Sequence, residues 1–150
     1  MNKNEPKVQA SSASLGAVVS HAARLLTQAL ADAHKTLPLA PAQYRVLVEL
    51  WQTEHLTQQE LVQKLDIEQP TVGSTINRME RDDLIQRQPH PRDGRSRVIC
   101  LTEKAKRLKI PATNAAEEIN KNVLSDFSDA EKEQFFKFLD RIINKLKKDG

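Results

Sequence analysis

From Leu15 onward, apolar residues recur at three- and four-residue steps (Leu15, Val18, Val19, Ala22, Leu25, Leu26, Ala29, Leu30), the period of one long amphipathic helix. Leu37-Pro38-Leu39-Ala40-Pro41 stops it. Pro41 then suits the first turn of a second helix, Pro41 to Trp51, with Tyr44, Leu47, Val48 and Trp51 on one face. Residues 1–13 are polar with no sustained period and are expected to form a mobile arm.

Thr57-Gln58-Gln59-Glu60 has the form of a capping box, in which the Thr hydroxyl accepts from the amide three residues on and the Glu reaches back to the cap amide. A short helix, Gln58 to Leu65, is expected after it, then a turn over Asp66 to Gln69. Pro70 opens a second short helix running to about Asp83, with Val72, Ile76 and Met79 as its apolar stripe. Two short helices joined tightly make a helix-turn-helix candidate. Leu84 to Gln88 and Arg97 to Leu101 alternate apolar and polar residues around Pro89-His90-Pro91-Arg92-Asp93-Gly94, which predicts a two-stranded hairpin with a basic tip, a wing.

Thr102 can cap a further helix carrying Leu108, Ile110, Ala115, Ala116, Ile119 and Val123, with Pro111 expected to kink it. Ser128-Asp129-Ala130-Glu131 is another capping box and opens a last helix with Phe135, Phe138, Leu139, Ile142, Ile143 and Leu146. The first and last helices thus carry wide apolar stripes outside the central module, and pairing of two subunits is the economical way to bury them. The expected fold is mainly α with a small β-hairpin wing. Its boundaries are a single domain over 14–150, with a winged helix-turn-helix lobe at 56–101 and dimerisation helices at 14–52 and 103–150.

Composition narrows the function. The chain has 150 residues, with 23 Lys+Arg against 20 Asp+Glu for a net charge of +3. Residues 69–110 hold ten basic and five acidic side chains, or +5, which leaves −2 for the rest. A basic centre in a slightly acidic frame points to a polyanion met by one face. One cysteine, Cys100, cannot close an intramolecular disulfide, so a reducing, cytoplasmic setting is expected. No apolar stretch approaches the length of a membrane span, and no apolar segment of signal-peptide type opens the chain. The four glycines permit no phosphate-cradling loop, and His21, His34, His55 and His90 show no metal-ligand spacing. Neither a metal nor a cofactor is expected.

With Val72 at the origin and steps of about 100° per residue, Val72, Ile76 and Met79 cluster within about 40°. The opposite side holds Pro70, Ser74, Asn77, Arg78 and Arg81, with Gln69 and Thr71 at the leading edge. Hydroxyls, amides and guanidinium groups read base edges or hold phosphates in the major groove. Gln69, Thr71 and Ser74 are candidates for bases, and Arg78 and Arg81 for phosphates. Gly73, on the flank, would let backbone approach DNA closely at a cost of about 1 kcal/mol in helix propensity. At the wing, Arg92, Arg95 and Arg97 could enter the minor groove, with Asp93 orienting an arginine by a salt bridge. Taken alone, either feature could be an ordinary solvated surface.

Leu56-Thr57-x-x-Glu60-Leu61, Ile67 to Pro70, Arg78-Met79-Glu80, Leu84-Ile85-x-Arg87, Asp93-x-Arg95 and Leu101-Thr102-Glu103-Lys104 together resemble the MarR family of bacterial transcription regulators. Ile67-Glu68-Gln69-Pro70 and Thr102-Glu103-Lys104-Ala105 lean toward its SlyA branch. The resemblance implies a ligand-responsive homodimeric repressor on a palindromic operator of double-stranded DNA, released by a small phenolic, aromatic or carboxylate effector held between the dimer helices and the DNA-binding lobe. His21, Arg24 and Tyr44 are the effector candidates, although such residues on a long helix also serve as interface or surface groups. Three positions depart from the family pattern: Asp83 stands where Gly is usual, Gly94 where a second wing Arg is frequent, and Gly73 where a hydroxyl residue is commoner. Cys100 falls in the second wing strand, outside the N-terminal helix where the family's thiol sensors keep theirs, and is expected to be a buried strand residue. The competing function is a winged-helix protein-interaction module without specific DNA binding; no catalytic constellation supports an enzyme.

Overall fold

The computed structural model describes residues 14–149; the expected arm at 1–13 lies outside the described residues. Six helices and three strands follow one another as α1 (Leu15–Ala33), α2 (Pro41–Gln52), β1 (Leu56–Thr57), α3 (Gln58–Leu65), α4 (Gln69–Arg81), β2 (Ile85–Pro89), β3 (Arg97–Leu101), α5 (Glu103–Val123) and α6 (Asp129–Asp149). The hairpin gains a third strand that two residues without alternation could not announce: β1 pairs antiparallel with β3 (Leu56 opposite Ile99, Thr57 opposite Val98), giving the order β1-β3-β2.

Local chemistry sets the boundaries. At the start of α3, Thr57 Oγ1 accepts from the Glu60 N–H at 3.2 Å while the Glu60 carboxylate accepts from the Thr57 N–H at 2.7 Å. Ser128 and Glu131 make the same reciprocal pair at α6. These bonds, the backbone one foremost, hold the Glu60 and Glu131 carboxyls below their ordinary range. The end of α4 is a Schellman turn rather than the longer helix expected: Leu84 N–H donates to Met79 O at 2.9 Å and Asp83 N–H to Glu80 O at 3.2 Å. That closure puts Asp83 at φ 58°, the left-handed region where a side chain is costly and a glycine is not. Asp66 does the same at the end of α3, with φ 54°.

The core is built from Val46, Leu47 and Leu50 of α2, Leu61 of α3, Val72, Ile76 and Met79 of α4, the sheet, and Ala105, Leu108 and Ala112 of α5. It therefore crosses the boundaries expected at 52 and 103: α2 and the first turns of α5 belong to the lobe. The α2 face also differs from its expected stripe. Gln43, Val46, Leu47 and Leu50 are buried, while Tyr44, Val48 and Trp51 are half-buried. The reason is that α2 is central, touching α3 and α4 on one side and α1 and α5 on the other, so no single stripe describes it. Buried Gln43 caps α2, its Oε1 accepting from the Ala40 N–H at 3.0 Å, and its Nε2 donates to Asp82 Oδ2 at 2.7 Å, tying α2 to the end of α4.

His34, just after α1, knots three helices. Its Nε2 donates to the Ala112 carbonyl at 3.0 Å, its ring meets Tyr44 edge-on at 4.8 Å, and Nδ1 is buried with no hydrogen-bond partner among the described residues. Trp51 Nε1 adds a second tie, donating to Ala105 O at 3.1 Å. Beyond Ala112, α5 leaves the core; of the apolar residues read along this helix, Ile110 and Val123 are exposed. No described residue of α1 and no described side chain of α6 is buried.

Candidate nucleic-acid interface

The outer face of α4 forms one wall of an open groove of about 590 Å³, lined by Gln69, Pro70, Gly73, Ser74, Asn77, Arg78 and Arg81 together with Gln58 of α3. Seven of these eight are the side chains that the helical wheel placed opposite the core or on its flank. Gln58 was missed, because the crossing of α3 and α4 and not its own periodicity brings it there. It also explains Gly73: a Cβ at that position would lie 3.0 Å from Gln58 Nε2. The glycine thus serves the helix crossing, in addition to any approach to DNA. Thr71 lies on the other flank, lining a small crevice of about 90 Å³ with Ala42, Arg45, Val46, Leu65 and Ile67.

Arg87, on β2, reaches across to α4. Its Nη2 donates to Asn77 Oδ1 at 2.7 Å and its Nη1 pairs with the Glu80 carboxylate. Asn77 therefore keeps its amide N–H groups for a ligand while its oxygen is committed. Lys104 is likewise structural, its Nζ donating to Asp82 O at 2.8 Å, where a cation suits a helix C-terminus. The basic centre accordingly divides into cations that hold the lobe together and cations turned outward: among the described residues, Arg78, Arg92, Arg95 and Arg97 are exposed and have no carboxylate partner.

In the wing loop, Asp93 Oδ1 accepts from the Arg95 backbone N–H at 3.0 Å. No ion pair of Asp93 occurs among the described residues, so the side-chain bridge expected from sequence is replaced by a backbone contact that shapes the tip. His90 was not foreseen here. Its Nδ1 accepts from the N–H groups of Arg92 (3.1 Å) and Asp93 (3.2 Å). Gly94 is open, with nothing within 4 Å of a Cβ placed on it.

The effector candidates do not converge within one chain. Tyr44 sits at the α1–α2 joint against His34. At about 1.5 Å per residue, Arg24 lies roughly 15 Å and His21 roughly 20 Å further along α1, both exposed. Burial pushes the Tyr44 hydroxyl above its ordinary pKa, with Glu117 adding to it. Cys100 is buried in β3, and burial first, then Glu54, raises its thiol, so the thiolate is disfavoured. Among the described residues no three His, Cys, Asp or Glu gather as a metal site, and no helix is long and apolar enough to cross a membrane.

Residues 39–96 match the MarR family model. The chain is 29% identical over 117 residues to YwoH, an HTH-type transcriptional regulator of Bacillus subtilis, covering 78% of this chain and 85% of that one. Among solved structures it resembles a transcriptional regulator, SlyA (TM-score 0.84, 23% identity, 91% of this chain and 96% of that chain). It also resembles a MarR family regulator from Listeria monocytogenes complexed with 26mer DNA (TM-score 0.84, 23% identity, 91% of each chain). Both likenesses speak to the fold.

Proposed function

We propose that the chain is a DNA-binding transcriptional regulator of MarR type, as the match of residues 39–96 to that family model supports, and that it is a homodimeric repressor that grips a palindromic operator and lets go on binding a small aromatic, phenolic or carboxylate effector. The observation that carries the dimer is the set of apolar side chains left uncovered on the terminal helices: Leu25 and Leu26 on α1, and Phe135, Phe136, Phe138 and Leu146 on α6. A second copy supplies matching faces at no cost in new sequence, and a two-fold pair presents two grooves and two wings to one duplex.

On this reading the dimerisation helices are α1, the distal part of α5, and α6. Gln69, Pro70, Gly73, Ser74, Asn77, Arg78 and Arg81 face the major groove, with Thr71 at the edge of that contact, and Arg92, Arg95 and Arg97 follow the adjoining minor groove, with Asp93 shaping the tip. Repression follows from occupying the operator. Release follows if an effector held beside Tyr44, or along α1 at His21 and Arg24, favours a lobe spacing unfit for DNA by about 1 to 3 kcal/mol, weakening binding some five- to 150-fold.

Selection of bound duplexes from a random pool, with sedimentation of the complex, tests it. The expected result is a palindrome with half-sites roughly 34 Å apart, bound by two chains. Recovery of an asymmetric site bound by one chain would reject the dimer reading. Titrating hydroxybenzoates into that complex tests release, which requires dissociation at effector concentrations that leave the dimer intact.

A further inference from the structure

His90 closes the wing loop on itself, and it does so with a lone pair. Besides accepting from Arg92 and Asp93 through Nδ1, it donates its own backbone N–H to Ser96 O at 3.0 Å, and the Ser96 N–H in turn donates to Asp93 O at 3.1 Å. Asp93 then fixes Arg95 through its carboxylate. Every bond that shapes residues 90–96 therefore runs through His90 or through a residue that His90 holds. We propose that His90 is the positioning residue of the wing, and that it presents Arg92 and Arg95 to DNA only while its ring is neutral.

The direction of the bonds supplies the reason. Two N–H groups point at Nδ1, which can accept them only with its lone pair free. A proton on Nδ1 turns both attractions into repulsions and leaves two backbone donors unpaired. The charged groups facing the ring do not all act in one sense. Glu60 of α3 lies close enough for a charge on His90 to lower its carboxyl, so a protonated ring is drawn toward the α3 cap and away from the loop. On the loop itself, Arg92 opposes a charged ring and Asp93 favours it, while Arg97 stands across the ladder opposite Pro89. Imidazole changes charge between about pH 5 and pH 8, so the wing becomes looser as the solution is acidified.

The sign of the effect on DNA is diagnostic. An extra positive charge beside a phosphate backbone would by itself tighten binding as pH falls, whereas loss of the wing geometry weakens it. This consequence rests on the wing being a DNA contact; the behaviour of the loop does not.

Two measurements on the full chain separate these. In amide NMR between about pH 8 and about pH 5, the Arg92 and Asp93 N–H signals should move with the same midpoint as the His90 ring. In His90→Asn they should stay put, because Oδ1 occupies the place of Nδ1 and accepts at any pH in this range. On a duplex that the protein itself recovers from a random pool, wild-type affinity should fall about tenfold from about pH 7.5 to about pH 5.5. His90→Asn should hold the neutral-pH affinity across that range, and His90→Ala should be weak at both ends. Arg92 and Asp93 amides that ignore the titration of the ring, or a His90→Asn variant that loses affinity with acid as wild type does, would overturn the proposal. Failure to recover any duplex would sink the DNA-binding reading and leave the amide titration to decide the role of His90.

Discussion

In the winged lobe, Leu47, Leu50, Leu61, Ile76, Met79 and Leu84 are completely buried within one chain, whereas the equally periodic α1 and α6 leave Leu25, Phe136 and Leu146 at 52%, 54% and 69% exposure. The contrast shows what amphipathic period does and does not say. It marks a face that must leave water and is silent about what covers it. For α4 the cover is α2, α3 and β2, a few residues away in space. For α6 no described residue does the job, although its Lys147 Nζ lies 3.1 Å from Asp66 Oδ2 at the α3–α4 turn. An exposed ion pair of this sort contributes little stability.

The largest effect expected from breaking this contrast is inside the lobe. Ile76→Ala should lower unfolding free energy by about 2 to 5 kcal/mol in urea titration, because the cavity lies among residues that cannot close over it. Phe138→Glu should leave the lobe's near-native signals intact and instead halve the sedimenting mass; unchanged mass would show that the α6 face is not the dimer contact. Arg95→Ala should cost about 1 to 3 kcal/mol of DNA affinity in a gel-shift assay while dimerisation persists. Smaller again, Thr57→Ala should cost about 1 kcal/mol by removing the α3 cap. Glu60 titrates below its unfolded value, so the help it gives α3 is present above about pH 4.3 and fades as pH falls through the lower folded pKa. Acid unfolding of Glu60→Gln should accordingly be less steep than that of wild type. At the opposite sign, Asp83→Gly should raise stability by about 1 kcal/mol, since φ 58° costs a glycine nothing.

The outward face of α4 was legible because its signals are local. Capping boxes, Pro70 at a helix start and the Val72-Ile76-Met79 stripe depend on residues within one or two turns, and they place the outward face of α4 without knowledge of anything else. Gln58, Arg87 and His90 were not legible for the converse reason. Gln58 meets α4 only because two helices cross; Arg87 reaches Asn77 and Glu80 only because β2 runs back beside α4. His90 looks like any exposed histidine until the loop curls around its ring. The expected Asp93 salt bridge failed on the same ground, since side-chain charge suggested a partner that the turn supplied through a backbone N–H instead.

The sequence by itself determined the helix-turn-helix, the hairpin and the two surplus apolar helices, because each follows from a period or a cap whose energy is settled within a few residues. Only the tertiary structure decided that α2 lies at the centre of the lobe's core, that β1 completes the sheet, and which cations brace the lobe and which face outward. Those outcomes depend on contacts between residues far apart in the chain, such as Gln43 with Asp82 or His34 with Ala112, whose partners no local pattern can name.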